Sequence, residues 1–213
     1  MPKLLTSNTK IDKSMKLYPE YEATILQLAP GKGVCVNYSA CIKTCLFFTG
    51  FGKFNSVQRG RINRTKYLQG DTQGFLKQLT REIRNQVKRA IKKNKTAVIR
   101  LNGFSDIDWS KPEYFVEGFC LFELFPEVIF YDYTADYNKC LTNEFDNYHL
   151  TFSYKGNNLQ EAKSLFQERG INTAIIEVPE NDQFKTIRSI QGDTHDFRFL
   201  DKKGSVIWLS FKE

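Results

Sequence analysis

From Thr96 onward the chain repeats one pattern: a short run of apolar and β-branched residues, a turn, a helical segment, then the next run. Ala97–Leu101 (AVIRL), Val128–Tyr133 (VIFYDY), His149–Ser153 (HLTFS) and Thr173–Val178 (TAIIEV) read as strands. Pro112–Leu124 (opened by Ser110), Asp136–Leu141 and Leu159–Arg169 read as the helices between them, the last ended by Gly170. Parallel neighbours need a crossover of this kind, whereas antiparallel ones close with a tight turn. The alternation therefore dictates a parallel sheet. Tyr21–Ala29 (YEATILQLA), closed by Pro30-Gly31-Lys32-Gly33, adds a fifth strand to the series. The expected fold is α/β, a partial or full parallel β/α barrel. A C-terminal hairpin is expected from Phe197–Leu200 and Ser205–Phe211 around Lys202-Lys203-Gly204. Residues 1–20 read as an extended N-terminal arm and residues 21–213 as a single α/β domain.

Charge divides the chain. Residues 1–100 carry 20 Lys+Arg against 5 Asp+Glu, a balance of +15, and residues 101–213 carry 11 against 19, a balance of −8. Between residues 51 and 100 alone, 14 Lys+Arg face two acids, Asp71 and Glu82. That bias exceeds what solubility requires and points to a polyanion such as DNA or RNA. Two helices carry it. The first runs from about Ser56 to Leu68 with Arg59, Arg61, Arg64 and Lys66. The second runs from Phe75 to about Lys93 behind a cap at Asp71 or Thr72. The apolar stripe of the second is Phe75, Leu76, Leu79, Ile83, Val87, Ala90 and Ile91, and its other faces carry Lys77, Arg81, Arg84, Lys88, Arg89, Lys92 and Lys93. Phe47, Phe48, Phe51, Phe54 and Tyr67 lie nearby as candidate stacking surfaces for bases, or as core. No apolar run approaches the ~18 residues of a membrane span, and the N-terminus lacks a signal-peptide core, so an intracellular protein without a membrane partner is expected.

Ligands of open parallel sheets and barrels sit at the carboxyl ends of the strands. The candidates there are Asn102, Gly103, Ser105 and Asp106 after the second strand, then Thr134 and Asp136. Ser153, Lys155 and Asn157 follow the fourth strand, and Pro179 and Glu180 the fifth. Asp106 is the candidate base or ligand acceptor, with the alternative that it caps the turn into Asp108-Trp109-Ser110.

After the first strand comes Cys35-x5-Cys41-x3-Cys45. Cys41 and Cys45 are four apart, so they share a face if Tyr38–Phe48 is helical. Three thiolates without a neighbouring histidine suit a soft metal centre. A 4Fe–4S cluster held by three thiolates keeps one iron open to an exogenous ligand. Zinc would require a fourth ligand, such as Cys120, Cys140 or a histidine. The third reading is three small buried hydrophobes.

Four segments together resemble the phage gene product 88-like family. They are Gly33–Cys45 (GVCVNYSACIKTC), Val98–Asp106 (VIRLNGFSD), Phe130–Asp136 (FYDYTAD) and Ile190–Gly204 (IQGDTHDFRFLDKKG), the last the most specific. The resemblance implies a radical-SAM-like architecture with a cysteine loop after the first barrel strand. It also implies a phage-infected host cell as the setting, and S-adenosylmethionine as the first choice of ligand on an open iron. Asn102, Ser105, Asp106, Thr134 and Ser153 would then line the mouth. The spacing here departs from the usual C-x3-C-x2-C of radical-SAM enzymes, and no clear Gly-Gly-Glu segment is present.

Gly192-Asp193-Thr194-His195-Asp196 sets two carboxylates around one of two histidines, an acid/base or metal group or else a turn pairing with Arg198. His149 reads as a core or edge histidine within its strand. P-loop, G-x-S-x-G and H-E-x-x-H motifs are absent, which disfavours kinase, serine hydrolase and zincin chemistry. The expected function is an iron–sulfur protein that acts on or binds nucleic acid. The alternatives are a non-catalytic binding module with a structural metal and a zinc-dependent nucleic-acid enzyme.

Overall fold

The computed structural model describes residues 2–36, 45–48, 52, 54–177 and 189–210. Five strands run parallel in sequential order: β2 (Tyr21–Leu26), β3 (Thr96–Arg100), β4 (Ile129–Thr134), β5 (Tyr148–Ser153) and β6 (Thr173–Glu177). β1 (Leu5–Thr6) pairs antiparallel with β2 at one edge. At the other edge β8 (Val206–Ser210) lies parallel to β6, and β7 (Ser189–Gln191) parallel to β8. The order β1-β2-β3-β4-β5-β6-β8-β7 has two ends, so the sheet is open and the barrel does not close.

Alternation along the strands divides two cores. Ile99, Phe130 and Tyr148 face a large core built with α3 (Thr72–Lys92), α4 (Leu121–Leu124) and the end of α2 (Asn55–Gly70). Phe152 packs with α5 (Tyr137–Thr142) and α6 (Leu159–Arg169) on the same face. Ala23, Ile25, Val98 and Tyr131 point the other way, onto α1 (Thr9–Leu17) and Phe197. Short crossovers in sequential order place the connecting helices on one face, and the C-terminal segment covers part of the other.

α3 follows its stripe: Phe75, Leu76, Leu79 and Ile83 are fully buried. Asp71 caps it, accepting from Gly74 N–H at 2.8 Å. Gly170 ends α6 in the left-handed conformation at φ 64°.

Four expectations change. The extended arm is instead β1 and α1. Asn8 caps α1 by accepting from Ile11 N–H at 2.9 Å, and Leu4 and Ile11 are fully buried. The Pro112–Leu124 helix is two short pieces, a 3-10 turn at Pro112–Tyr114 and α4, because Val116 and Phe119 bridge across left-handed Glu117 and Gly118. The C-terminal hairpin is absent: Arg198–Leu200 form a 3-10 turn, and β8 takes parallel neighbours on both sides. Burial of Phe197 against the sheet decides that turn. Of the Tyr38–Phe48 helix, residues 38–44 lie outside the described residues and Leu46–Phe48 form a 3-10 turn.

Candidate functional site at the carboxyl ends of the strands

The carboxyl ends of β2, β3 and β4 meet in one hydrogen-bonded cluster. β3 ends by turning under β2: Gly103 N–H donates to Leu26 C=O at 3.0 Å. A Cβ at position 103 would lie 2.9 Å from that same oxygen, so the approach requires glycine. The turn returns through Asp106, whose N–H donates to Val34 C=O at 2.7 Å, beside Cys35. The Cys35 thiol lies 3.6 Å from Phe104 C=O. The cysteine loop and the β3 turn are thus tied to each other.

Asn102 is the hub. Its Oδ1 accepts from Ser105 Oγ at 2.8 Å and Ile107 N–H at 2.9 Å. Its N–H and Nδ2 donate to Asp132 at 2.6 and 3.0 Å. Tyr148 OH donates to Asp132 Oδ2 at 3.0 Å. Asp132 is fully buried, and burial pushes its carboxyl up to about 6 against the pull of Lys139 and Arg100. Asp106 takes Thr134 Oγ1 at 2.6 Å, Ala135 N–H at 2.8 Å and Lys139 Nζ at 3.4 Å. Lys139 is buried and also donates to Ile107 C=O at 2.9 Å. Asp106 therefore clamps the β3 turn to the β4 end; the Asp108-Ser110 turn is capped by Asp108 instead, which accepts from Ser110 N–H at 3.1 Å.

Asn102, Ser105, Asp106 and Thr134 come together as expected from their strand ends, and Ser153 does not join them. Thr134 lies opposite Phe152 in the sheet, so Ser153, one residue on, projects from the other face. Pro179, Glu180 and Cys41 lie outside the described residues. Asp132, Tyr148 and Lys139 were not among the candidates. An acid inside the apolar run VIFYDY was the available signal for Asp132, and Lys139 had none.

Cys45 lies within electrostatic reach of Arg61, whose guanidinium stacks on the Phe104 ring at 3.9 Å. Burial lowers Arg61 to about 10, Arg64 adds to the fall, and Cys45 opposes it. Burial raises the Cys140 thiol to about 12 and raises Cys120 as well, as expected of small core hydrophobes. Among the described residues no three His, Cys, Asp or Glu side chains are close enough to hold a metal ion.

The basic helices divide. Arg59, Arg81, Arg84, Lys88 and Lys92 are exposed, with Lys77 and Arg89. Arg61 is buried, and its Nε donates to Gln27 Oε1 at 3.3 Å. Arg64 is half-buried, donating to Lys3 C=O at 2.7 Å. Lys93 is exposed but pairs with Glu22 at 2.9 Å. These three hold the fold together rather than extend the open cationic face. Glu82, the acid within α3, turns inward and accepts from Leu4 N–H at 3.1 Å and Leu5 N–H at 2.8 Å. Phe47 is buried, Phe48 and Phe54 are exposed, and Tyr67 packs edge-on against Phe75. Phe51 lies outside the described residues.

The Gly192–Asp196 segment is structural. Arg100 Nη1 donates to both oxygens of Asp196 at 3.1 Å, Tyr131 OH donates at 2.7 Å, and Lys10 stands 3.7 Å away. Burial would raise the Asp196 carboxyl, but Arg100 and Lys10 hold it at about 2. Burial, with Arg198 and Lys10, lowers His195 to about 4. Asp193 accepts from Ser210 N–H at 2.7 Å, and Arg198 pairs with Asp201 at 3.2 Å.

No helix among the described residues is long and apolar enough to cross a membrane. No curated protein and no solved structure matches the chain. A family model described as Gene product 88 matches residues 2–212, nearly the whole chain, and takes in the cysteine loop, the β3 and β4 ends and the Asp196 segment, so the protein belongs to the gene product 88 family of phage proteins.

Proposed function

We propose that the protein binds nucleic acid through the cationic outer face of α2 and α3, by phosphate contacts with little dependence on sequence. The observation that carries this reading is the disposition of charge on α3. Lys77, Arg81, Arg84, Lys88, Arg89 and Lys92 are exposed, while Glu82 faces inward onto backbone N–H groups. Counterion release then supplies the affinity. Exposed Phe48 and Phe54, ahead of α2, offer stacking surfaces that favour single strands.

Fluorescence anisotropy with labelled single-stranded and duplex oligonucleotides tests it. With about six phosphate contacts, affinity falls by roughly 10³ between 50 and 200 mM salt. The variant Arg81→Gln/Arg84→Gln/Lys88→Gln/Lys92→Gln loses most of the binding and flattens that slope. Undetectable binding at about 50 mM salt, or affinity indifferent to salt, ends the reading.

A second reading rests on the cysteine loop: the Cys35 thiol lies 3.6 Å from Phe104 C=O, and Cys45 lies within electrostatic reach of Arg61, which stacks on the Phe104 ring. Cys35 and Cys45, with Cys41 between them in sequence, offer a donor set suited to a 4Fe–4S cluster or to zinc. A cation beside it offsets thiolate charge. In its radical-SAM-like form, S-adenosylmethionine is the exogenous ligand of the open iron; in its plainer form the metal only fixes the loop of a binding module. Anaerobic purification with iron, sulfide and zinc assays tests it. Absorbance near ~400 nm that is lost in Cys35→Ala, Cys41→Ala and Cys45→Ala supports iron. Full metal retention in the triple variant, or no metal in the wild type, refutes a centre here.

A further inference from the structure

At the opposite end of the sheet from the cysteine loop there is a notch. β6 begins at Thr173, opposite Phe152, so Tyr148–Thr151 of β5 have β4 on one side and no β6 residue on the other. The α6–β6 turn passes below, and residues 198–203 close the far side. A cavity of about 440 Å³ opens in this gap. That lies within the range of small-molecule sites.

The walls carry three kinds of chemistry. His149 and Phe199 make an aromatic wall, with ring centroids 6.0 Å apart. Burial and Lys203 lower the His149 pKa, so its imidazole is neutral. Arg169 and Lys203 form an exposed cationic rim, brought together where Gly204 N–H donates to Gly170 C=O at 2.9 Å. Glu144 and Asp146 stand on the β5 side, so an anion is directed to the β6 side.

The third kind is a buried ion pair with unsatisfied polar atoms beside it. Arg198 is buried, with 1% of its side chain exposed. Its Nη2 donates to His195 C=O at 2.8 Å and its Nε stands 3.2 Å from Asp201 Oδ2, while its Nη1 makes no hydrogen bond. Asn143 Oδ1 makes none either. Both atoms belong to residues lining this one cavity. Native structures leave few such groups, and two of them at one cavity mark a place for a further polar partner. The Asn102–Asp132 cluster at the other end of the sheet has none.

We propose that the notch binds a small phosphorylated molecule with a planar ring, of mononucleotide size, its ring against His149 and Phe199 and its phosphate at Arg169 and Lys203. A ring donor reaches toward Asn143, and the bound molecule or the water it orders satisfies Arg198 Nη1. The site is separate from the cationic face of α3 and stands whether or not that face binds nucleic acid.

Isothermal titration of the full chain with AMP, CMP, GMP and UMP tests this, with inorganic phosphate and the unphosphorylated nucleosides as separate arms. At least one mononucleotide saturates one site with Kd on the order of 10–500 µM. Phosphate alone and nucleoside alone bind at least about tenfold more weakly, since each engages one half of the notch. Arg169→Gln/Lys203→Gln, which alters only exposed side chains, weakens the mononucleotide by about tenfold or more. The α3 quadruple variant leaves that affinity unchanged. No saturation by any mononucleotide up to about 5 mM overturns the proposal. So does affinity unmoved by the double variant, or affinity lost in the α3 variant instead.

Discussion

Two buried polar clusters sit on opposite faces of the same sheet, and they are built differently. At the carboxyl ends, Asp132 accepts three hydrogen bonds, Asn102 uses both ends of its amide, and Asp106 takes three donors. Along the other face, Asp196 is equally well held by Arg100, Tyr131 and Lys10, but its neighbour Arg198, paired with Asp201, leaves Nη1 without a hydrogen bond. A satisfied buried network rigidifies, and an unsatisfied one stores a cost that another partner can relieve. The contrast separates parts that hold the fold, Asn102–Asp132 and Asp196, from a part open to a ligand, Arg198 Nη1 and Asn143 Oδ1 at the notch. Residues at strand carboxyl ends attract functional readings by topology, yet here they form clamps.

The largest expected effect comes from Asp196→Ala. It strands half-buried Arg100 and removes the acceptor of Tyr131, for a loss of about 3–5 kcal/mol in chemical denaturation. A loss under about 1 kcal/mol would show that Asp196 does not pin the C-terminal segment to the sheet. Asp132→Ala follows, at about 2–3 kcal/mol, since it orphans Asn102 N–H and Nδ2 and Tyr148 OH. Arg198→Met/Asp201→Leu sharpens the comparison: it replaces the buried ion pair as a whole by apolar chains, which costs at most about 1 kcal/mol. Equal losses for Asp132→Ala and Arg198→Met/Asp201→Leu would erase the distinction between the clusters.

The clusters also differ in pH response. Asp132 and Asp201 rise from 3.8 to about 6, so the folded state holds those protons more tightly than the unfolded chain. Their contribution to stability therefore grows as pH falls from 6 toward 4. His195 falls from 6.5 to about 4, so its contribution declines as pH falls over that window, and Asp196, at about 2, loses its contribution only below about pH 4. Comparing stability–pH curves isolates Asp132. Relative to Asp132→Asn, the wild type should gain on the order of 1–2 kcal/mol between pH 6.5 and 4.5. A parallel pair of curves would place the titration elsewhere. The smallest effect is on α3: Arg84→Gln and Lys88→Gln should each shift stability by no more than about 0.5 kcal/mol, because both side chains are exposed.

Much of the frame was legible because periodicity is a local property. The central strands lie within a few residues of where their apolar runs place them, and Leu159–Arg169 with Gly170 is read to the residue. α1 escaped because TKIDKSMKL offers one apolar side chain per turn, with Ile11 and Met15 as its anchors. The 112–124 region escaped because Glu117 and Gly118 take positive φ between stretches of helical composition. Arg61 and Arg64 read as surface charge because their neighbours in sequence are polar. Their partners, Gln27 and Lys3, lie far along the chain.

The sequence by itself determined the α/β class, the parallel order of the central strands, the family and the charge asymmetry. Each is written in spacing or composition, which need no knowledge of what meets what. Only the tertiary structure decided that the sheet stays open, since edge pairing by β1 and β7 depends on strand ends brought together from distant parts of the chain. It also decided which face each strand-end residue takes. Ser153 parts from Thr134 because a one-residue offset in a strand reverses the face. The notch beneath β5 exists for a like reason: β6 starts where the α6 cap releases the chain, opposite the end of β5 rather than its beginning.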